Sequence, residues 1–197
     1  MIVEMVRNTL LCDIKRTPFK HILEEYSTDM FYSTANGNEV KIKGIIDRID
    51  EKEDKIQLID YKTTRLKESI KATEVEKIDI LENFFDNDNN HSANDKKYVK
   101  EILQMCFYNL LYAEKAGGKK IETYLYLARM SYDTENFLDN TKVVLPEDWE
   151  STFKTNLDRI IDDLLDENKP ITQSKEPKNL NCKLCPFLPI CGKVVKE

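Results

Sequence analysis

The sequence predicts an α/β protein in which a short mixed sheet is flanked by helices. Apolar residues recur at helical spacing in the first segment, and two segments of alternating polarity follow around a charged turn. A strongly helical segment, a buried strand and a last helix complete the order, which is typical of helices packed on a mixed sheet. A chain of 197 residues can build one sizeable hydrophobic core, so we expect a single domain over residues 1–197.

The composition excludes several classes of protein. Hydrophobic residues make up 41% of the chain and charged residues 34%, which argues against a disordered polyampholyte. The sequence has no apolar run of the roughly 18 residues that cross a bilayer and opens with no signal peptide. We therefore predict a cytoplasmic protein with no membrane partner. A net charge of −6 excludes a surface that is basic all over, but not a local basic track for nucleic acid.

Each predicted element in the first half of the chain depends on its own pattern. Residues 1–15 predict a helix, whereas the next segment, HILEEYSTDMFYST, is ambiguous between helix and strand. Residues 40–50 and 55–63 alternate as a hairpin whose turn is EKED. The polar stretch over residues 83–97 cannot support packing and predicts a flexible loop without a functional role. The apolar stripe of the first helix consists of Ile2, Val3, Val6, Leu10 and Ile14.

The second half of the chain predicts two long helices around one strand. A helix over residues 98–116 ends at Gly117 and Gly118, which supply the left-handed exit that closes many helices. The segment IETYLYLARM predicts a buried strand, and Pro146 opens a helix that runs to Glu167. The predicted core stripe of this last helix consists of Trp149, Phe153, Leu157, Ile160, Ile161, Leu164 and Leu165.

The predicted hairpin carries charged residues where isoleucine or leucine would normally be buried. Residues two apart in a strand share a face, so Asp60 and Lys62 point to the same side of the sheet. A tight two-residue turn sets Asp47 directly opposite Asp60, whereas a four-residue EKED loop shifts the register by two and leaves Asp47 diagonal on that face. With either register, two carboxylates and an ammonium group converge on one small volume. Arg48 points to the opposite face, where it can brace a helix.

This constellation predicts hydrolytic phosphate chemistry. Two like charges opposed on a half-buried sheet destabilise it unless a cation sits between them, and hard oxygen ligands suit Mg²⁺ or Mn²⁺. A bound divalent ion would polarise a phosphate and lower the pKa of an attacking water, while Lys62 would position that water or stabilise transition-state charge. The alternative is a structural or solvated Asp–Lys pair, the commoner role of such a pair on a strand. The register-matched Asp47 favours the functional interpretation.

The motifs GIIDRID and LIDYKTT give the chain a resemblance to a known family. They resemble the nuclease core of the PD-(D/E)xK superfamily, most closely the RecB/AddB-type exonuclease domains. The signature of those domains is a G-x-x-D-R-x-D strand followed by a D-Y-K-[ST] strand. The resemblance implies a restriction-endonuclease-like core in which Asp47 and Asp60 hold magnesium and Lys62 is catalytic.

A second motif lies on the helix predicted over residues 98–116. The stretch LQMCFYNLLY contains Gln104 and Tyr108, which are four residues apart and therefore share one helical face. It is similar to the family's Q-x-x-x-Y motif, and the resemblance implies that the pair faces the active site and helps to hold the DNA strand or the lysine. Taken alone, the pair would be a solvated glutamine and a core tyrosine. Cys106 lies about 200° around the helix from Gln104 and predicts ordinary core packing.

The cysteine-rich tail, residues 180–197, contains a second candidate metal site. Cys182, Cys185 and Cys191 have the spacing C-x2-C-x5-C, which is similar to the C-terminal part of the iron-sulfur staple of AddB-type nucleases and CRISPR-associated relatives. The resemblance implies a structural [4Fe-4S] cluster, although a zinc site has similar sequence demands. The family's fourth cysteine precedes the first helix, whereas Cys12 lies within it. We therefore expect this chain to be the C-terminal part of a longer protein and the cluster to be incomplete in it.

The family also places an acidic residue or a histidine before the hairpin, as a further metal ligand. Glu24 and Glu25 in HILEEY are the candidates, with a solvated glutamate as the alternative for either. Glu24 is preferred because the family's acidic residue often closes an apolar, strand-like run such as Ile22-Leu23. His21, which lies beside a lysine, predicts a solvated surface residue.

These expectations combine into a magnesium- or manganese-dependent deoxyribonuclease domain. The resemblance implies an exonuclease module of a helicase-nuclease protein of DNA repair and recombination, with single-stranded DNA ends and a helicase subunit or domain as partners. A catalytically inactive nucleic-acid-binding or scaffold domain of the same fold is the first alternative. The second is an interaction module whose important part is the metal-binding tail.

Overall fold

The computed structural model describes residues 2–63, 81, 95–128, 141–170, 186, 187 and 190. Among them the order of helix, strands, helix, strand and helix is confirmed. The tail cysteines and most of the predicted loop over residues 83–97 lie outside the described residues. In chain order the elements are α1 (Ile2–Arg16), β1 (Lys20–Ser33), β2 (Glu39–Lys52), β3 (Lys55–Lys62), α2 (Asp95–Tyr112), a 3₁₀ turn (Glu114–Ala116), β4 (Lys120–Leu127), β5 (Lys142–Val143) and α3 (Trp149–Leu165).

The described strands form one mixed sheet in the order β1-β2-β3-β4-β5. Strands β3 and β4 are parallel, and the other neighbouring strands in this sheet are antiparallel. A parallel pair requires a crossover connection, and α2 lies in the chain between β3 and β4. A mixed sheet with helices packed on it confirms the predicted restriction-endonuclease-like α/β fold.

The turn between β2 and β3 decides the register of the hairpin. Glu53 and Asp54 form the turn with φ angles of 52° and 60°. Positive φ at both turn residues is typical of a two-residue hairpin loop, because the backbone twist of such a turn matches the right-handed twist of the flanking strands. The tight turn is therefore confirmed and the four-residue EKED loop is wrong. The regular pairing ends at Arg48 and Ile59, so Asp47 and Asp60 lie directly beyond the last pair.

Two clusters of buried side chains hold the helices on the sheet. The first joins β2, β3 and β4 to Cys12 of α1 and to Met105, Tyr108 and Tyr112 of α2. The second joins α2 to α3 and includes Cys106, which is fully buried, so its prediction as a core residue is confirmed. Helix α2 contributes to both clusters, which fixes the face that carries Gln104 and Tyr108 over the sheet.

Helix α1 presents a different face from the one that its sequence pattern suggests, and α3 differs from its pattern at the C-terminal end. The apolar stripe of α1 is exposed, with Val3 83% accessible, and α1 instead buries Cys12 and Arg16. In α3, Phe153, Leu157 and Ile161 are buried as predicted. The prediction of Leu164 and Leu165 as core residues is wrong, because these side chains are 79% and 48% exposed.

The chain divides into two compact units, Met1–Asp162 and Asp163–Glu197. A single nuclease domain over residues 1–197 stays a prediction. Among the described helices, none combines the length and the apolar character needed to cross a membrane.

Candidate active site

Four of the predicted site residues meet at one hydrogen-bonded cluster. The Lys62 ammonium lies 2.7 Å from Asp60 Oδ2 and donates to Gln104 Oε1 over 2.8 Å. The Gln104 amide donates to Asp60 Oδ1 over 2.8 Å and to the Tyr108 hydroxyl over 2.7 Å. The Tyr108 hydroxyl in turn donates to Asp60 Oδ1 over 3.2 Å. Gln104 thus uses its carbonyl and its amide together, and this fixes the carboxylate and the lysine relative to each other.

The local sequence explains why these side chains meet. Asp60 and Lys62 are two apart near the end of β3, so both face α2. Gln104 and Tyr108 are four apart on α2, so they share the helix face that packs on the sheet. Ile56, Leu58 and Ile59 of the same strand are buried, and Asp60 beside them is only 2% exposed.

Asp47 joins the cluster from the neighbouring strand. Its Oδ2 accepts a hydrogen bond of 2.7 Å from the backbone N–H of Tyr61, the residue between Asp60 and Lys62. The bond holds the Asp47 carboxylate at the strand that carries the other two charged groups. The side chain of Asp47 is half-buried, so it stays open to solvent where Asp60 is not.

The electrostatics of the cluster favour a cation beside Asp60. Burial raises the pKa of the Asp60 carboxyl and outweighs the attraction of Lys62, and the negative charge of Asp47 raises that pKa further. Burial and the charge of Asp60 also raise the pKa of Tyr108, so its hydroxyl keeps the proton that it donates. A positive charge placed between Asp47 and Asp60 would offset the cost of keeping both carboxylates ionised.

The donor atoms at this position fit a hard divalent cation. Asp60 Oδ2 is buried, and its polar contact among the described residues is the Lys62 ammonium at 2.7 Å. No three His, Cys, Asp or Glu side chains within the described ranges are arranged together as a metal site. Two carboxylates are nevertheless enough for Mg²⁺, which commonly keeps several waters and binds one or two carboxylates plus substrate phosphate. Asp47 and Asp60 are therefore the residues that could hold such an ion.

The structure does not bring Glu24, the preferred third ligand, to this pair. Glu24 pairs with Arg48 across the strands, and its carboxylate accepts a hydrogen bond of 2.6 Å from His21 Nε2. His21 in turn lies 3.0 Å from Asp50, on the side of the sheet that α1 covers. Since Asp50 is on the opposite face from Asp60, the Glu24 carboxylate is directed away from the cluster.

Glu25, the other candidate ligand, lies on β1 where the pairing with β2 is irregular. Because Glu24 pairs with Arg48, the same register sets Glu25 opposite Asp47, although the regular pairing is interrupted at these two residues. Glu25 has a φ of 46°, a left-handed value that costs a non-glycine residue roughly 1–2 kcal/mol. Strained backbone of this kind concentrates at functional sites.

Side-chain contacts indicate that β2 changes face beside Asp47. Arg48 and Asp50 make hydrogen bonds with side chains of α1. Gly44 instead approaches α2, where a Cβ atom would lie only 2.7 Å from Leu111 Cδ1. Alternate residues of a regular strand share one face, so the alternation is broken between residues 44 and 48. Irregularities of this kind re-aim side chains next to active sites.

Sequence reasoning missed a buried carboxylate on the same stripe of α2. Glu101 precedes Gln104 by three residues and Tyr108 by seven, a spacing that places all three on one helix face. Its side chain is buried, and its Oε2 accepts no hydrogen bond from the described residues. No sequence signal distinguishes it, because glutamates within polar helix segments are usually solvated.

The other missed feature is a buried network on the α1 side of the sheet. The prediction that Arg48 braces a helix is confirmed by its hydrogen bond of 2.7 Å to Asp13 of α1. Arg16, Asp50 and Gln57 join it as buried polar residues that the sequence analysis did not predict. The charged alternation within GIIDRID is the pattern that could have revealed the network.

The site combines an aspartate on one strand with an Asp-x-Lys sequence on the next, in a mixed sheet flanked by helices. This arrangement is that of a nuclease domain. The chain belongs to the PD-(D/E)XK nuclease superfamily, whose family model matches residues 3–192. Members of this superfamily are generally nucleases and typically use divalent metal ions. Neither the curated proteins nor the solved structures contain a match to this chain.

Proposed function

We propose that this protein is a magnesium-dependent deoxyribonuclease that hydrolyses DNA phosphodiester bonds. The observation that carries the proposal is the pairing of Asp60 with Lys62 beneath Gln104 and Tyr108, with Asp47 held at the same strand. A purely structural ion pair would not require a second carboxylate next to a buried one, because like charges there are destabilising. The superfamily match over most of the chain supports the same chemistry.

Asp47 and Asp60 would hold the divalent ion, either Mg²⁺ or Mn²⁺. When bound, such an ion supplies Lewis-acid polarisation of the phosphate and lowers the pKa of an attacking water. Gln104 and Tyr108 hold Asp60 Oδ1 through two hydrogen bonds, which leaves Oδ2 to the Lys62 ammonium and to an arriving cation. Asp47 is fixed through the backbone N–H of Tyr61. The two carboxylates are therefore oriented before any ion arrives, so binding does not have to order them.

Lys62 would support the reaction through its ammonium group. Gln104 Oε1 accepts one of its hydrogen bonds and Asp60 lies beside it, so one further N–H remains available for a water or a phosphate oxygen. Charge builds on the phosphate oxygens in the transition state, and a preorganised donor stabilises that charge more than it stabilises the ground state.

The motifs GIIDRID, DYKT and Q-x-x-x-Y support a narrower assignment within the superfamily. We infer a RecB/AddB-type exonuclease module of a cytoplasmic helicase-nuclease protein in DNA repair and recombination, which receives single-stranded ends from a helicase subunit or domain. The tail motif supports a structural [4Fe-4S] cluster on Cys182, Cys185 and Cys191.

Cleavage of labelled oligonucleotides tests the proposed activity directly. The purified protein is expected to degrade linear single-stranded DNA in Mg²⁺ or Mn²⁺, to stop in EDTA, and to recover when the metal is restored. End-labelled and circular substrates separate an exonuclease, which leaves circles intact, from an endonuclease. Binding of DNA without cleavage in either metal would contradict the proposal and indicate an inactive nucleic-acid-binding domain.

A matched pair of substitutions tests which glutamate completes the metal site. Glu25→Gln is expected to raise the Mg²⁺ concentration that gives half-maximal cleavage by roughly tenfold or more, because the strand register places Glu25 opposite Asp47. Glu24→Gln should leave the Mg²⁺ dependence near that of the wild type, since its carboxylate contacts His21. Titration of the cleavage rate with Mg²⁺ measures both effects. A higher Mg²⁺ requirement in Glu24→Gln, with none in Glu25→Gln, would assign the metal ligand to Glu24 instead.

A further inference from the structure

We propose that Arg48 is a positioning residue that sets the spacing of Asp47 and Asp60 from the opposite face of the sheet. The inference deepens the proposed function, because it assumes that these two carboxylates hold a divalent ion. Arg48 touches neither carboxylate side chain in the described contacts. It acts through the strands that carry them.

The contacts of Arg48 tie together three elements. Its Nη1 donates to Asp13 Oδ2 of α1 over 2.7 Å and to the Tyr61 hydroxyl of β3 over 3.1 Å. Its Nε donates to Asp50 Oδ1 over 3.0 Å, and Nη2 lies 2.9 Å from Asp50 Oδ2, so the contact with this residue of β2 is bidentate. One guanidinium group therefore links α1, β2 and β3 behind the active site.

Tyr61 carries this linkage through the sheet. Its hydroxyl accepts from Arg48 on the α1 side, while its backbone N–H donates to Asp47 Oδ2. Tyr61 is also the residue next to Asp60, and Arg48 is the residue next to Asp47. A shift of the guanidinium group would consequently move the backbone of β2 at Asp47 and of β3 at Asp60.

The surroundings of Arg48 hold it in one place. Arg48 is 9% exposed and Asp50 is fully buried. Asp50 Oδ2 also accepts from Arg16 Nη2 over 3.0 Å, and the Phe19 ring lies 4.5 Å from the Arg16 guanidinium and 5.3 Å from that of Arg48. Asp13 also accepts from both arginines, so Arg16 and Arg48 share the same two carboxylate partners.

Stability alone is a weak explanation for such a network. A buried set of ion pairs is often no more stabilising than well-packed apolar residues of similar volume, because desolvation opposes the attraction. Its distinguishing property is geometric: a planar guanidinium group fixes partners in defined directions, which a lysine ammonium cannot reproduce. Placed directly behind two metal-binding carboxylates, this rigidity is best explained by control of their spacing.

Arg48→Lys tests the proposal against a matched control. The control, Tyr32→Phe, removes a buried hydrogen bond of 2.6 Å to Asp158 of α3, remote from the site along β1. Binding of Mn²⁺ without DNA is measured from the electron paramagnetic resonance signal of the free ion, together with the melting temperature. Arg48→Lys is expected to raise the Mn²⁺ dissociation constant roughly 10- to 100-fold, the range found for outer residues that orient metal ligands. Tyr32→Phe should melt earlier but bind Mn²⁺ as the wild type does.

The outcomes separate this inference from the proposed function. Unchanged Mn²⁺ affinity in Arg48→Lys, with a lower melting temperature like that of the control, would overturn the positioning role while leaving the nuclease assignment intact. A wild-type protein that neither binds Mn²⁺ nor cleaves DNA would overturn both. If Arg48→Lys does not fold, Tyr61→Phe removes only the hydroxyl contact and keeps the backbone N–H. A smaller rise in the dissociation constant is then expected, and no rise would contradict the inference.

Discussion

Lys62→Ala is expected to lower the rate of DNA cleavage by roughly 10²- to 10⁴-fold at saturating Mg²⁺, the range for loss of one positioned catalytic group. The ammonium group is held beside Asp60 and by Gln104, so it is already in place when charge develops on the phosphate. Alanine removes the charge and the donor together. Single-turnover rates with excess enzyme measure the chemical step without product release.

The same variant should show a thermal signature. Removal of Lys62 leaves the Asp60 carboxylate buried without its cation, and an unpaired buried charge is strongly destabilising. Lys62→Ala should therefore have a lower melting temperature than the wild type in EDTA. Addition of Mg²⁺ should raise its melting temperature by more than it raises that of the wild type. Lys41→Ala is the matched control, because Lys41 forms an exposed pair with Asp29 elsewhere in the sheet. Retention of the wild-type rate in Lys62→Ala would remove the lysine from the mechanism.

The hairpin is the part of the molecule that sequence determines most directly. Its register follows from a two-residue turn, and one strand partner fixes every other pair along the ladder. Helical spacing likewise places Gln104 and Tyr108 on one face without knowledge of the rest of the fold. Local geometry alone therefore predicts the meeting of Asp60 with Lys62 and the pairing of Gln104 with Tyr108.

Tertiary contacts decide the features that the sequence does not predict. The segment HILEEYSTDMFYST is the 14-residue strand β1 because β2 offers it a partner along most of its length, which its own composition does not indicate. The left-handed φ of Glu25 occurs where the regular pairing of β1 with β2 is interrupted beside Asp47, and strand alternation does not predict it. Helix α1 packs through Asp13 and Arg16 rather than its apolar stripe, because these residues form ion pairs with Asp50 and Arg48 of β2 there. Such contacts join residues far apart in the chain and leave no periodic signal.

Asp60→Asn is expected to abolish metal-dependent cleavage and to remove the thermal stabilisation by Mg²⁺. A ligand that binds only the folded state stabilises it by about 2.7 kcal/mol at a hundredfold excess over its dissociation constant. For a chain of this size, that corresponds to a rise of roughly 5–10 °C in melting temperature. The asparagine keeps an oxygen to accept from Gln104 and Tyr108 but removes the charge that binds the ion.

The metal-free form of this variant should behave in the opposite way. Burial and the nearby Asp47 raise the pKa of Asp60, which means that folding favours the neutral form and the ionised form costs stability at neutral pH. A neutral amide avoids this cost, so Asp60→Asn should melt no earlier than the wild type in EDTA. Differential scanning calorimetry with and without Mg²⁺ measures both effects, with Asp29→Asn on the exposed pair as the control. If Mg²⁺ raises the melting temperature of Asp60→Asn as much as that of the wild type, the ion binds elsewhere. If that rise is lost while the metal-free melting temperature is undiminished, Asp60 serves metal binding rather than folding.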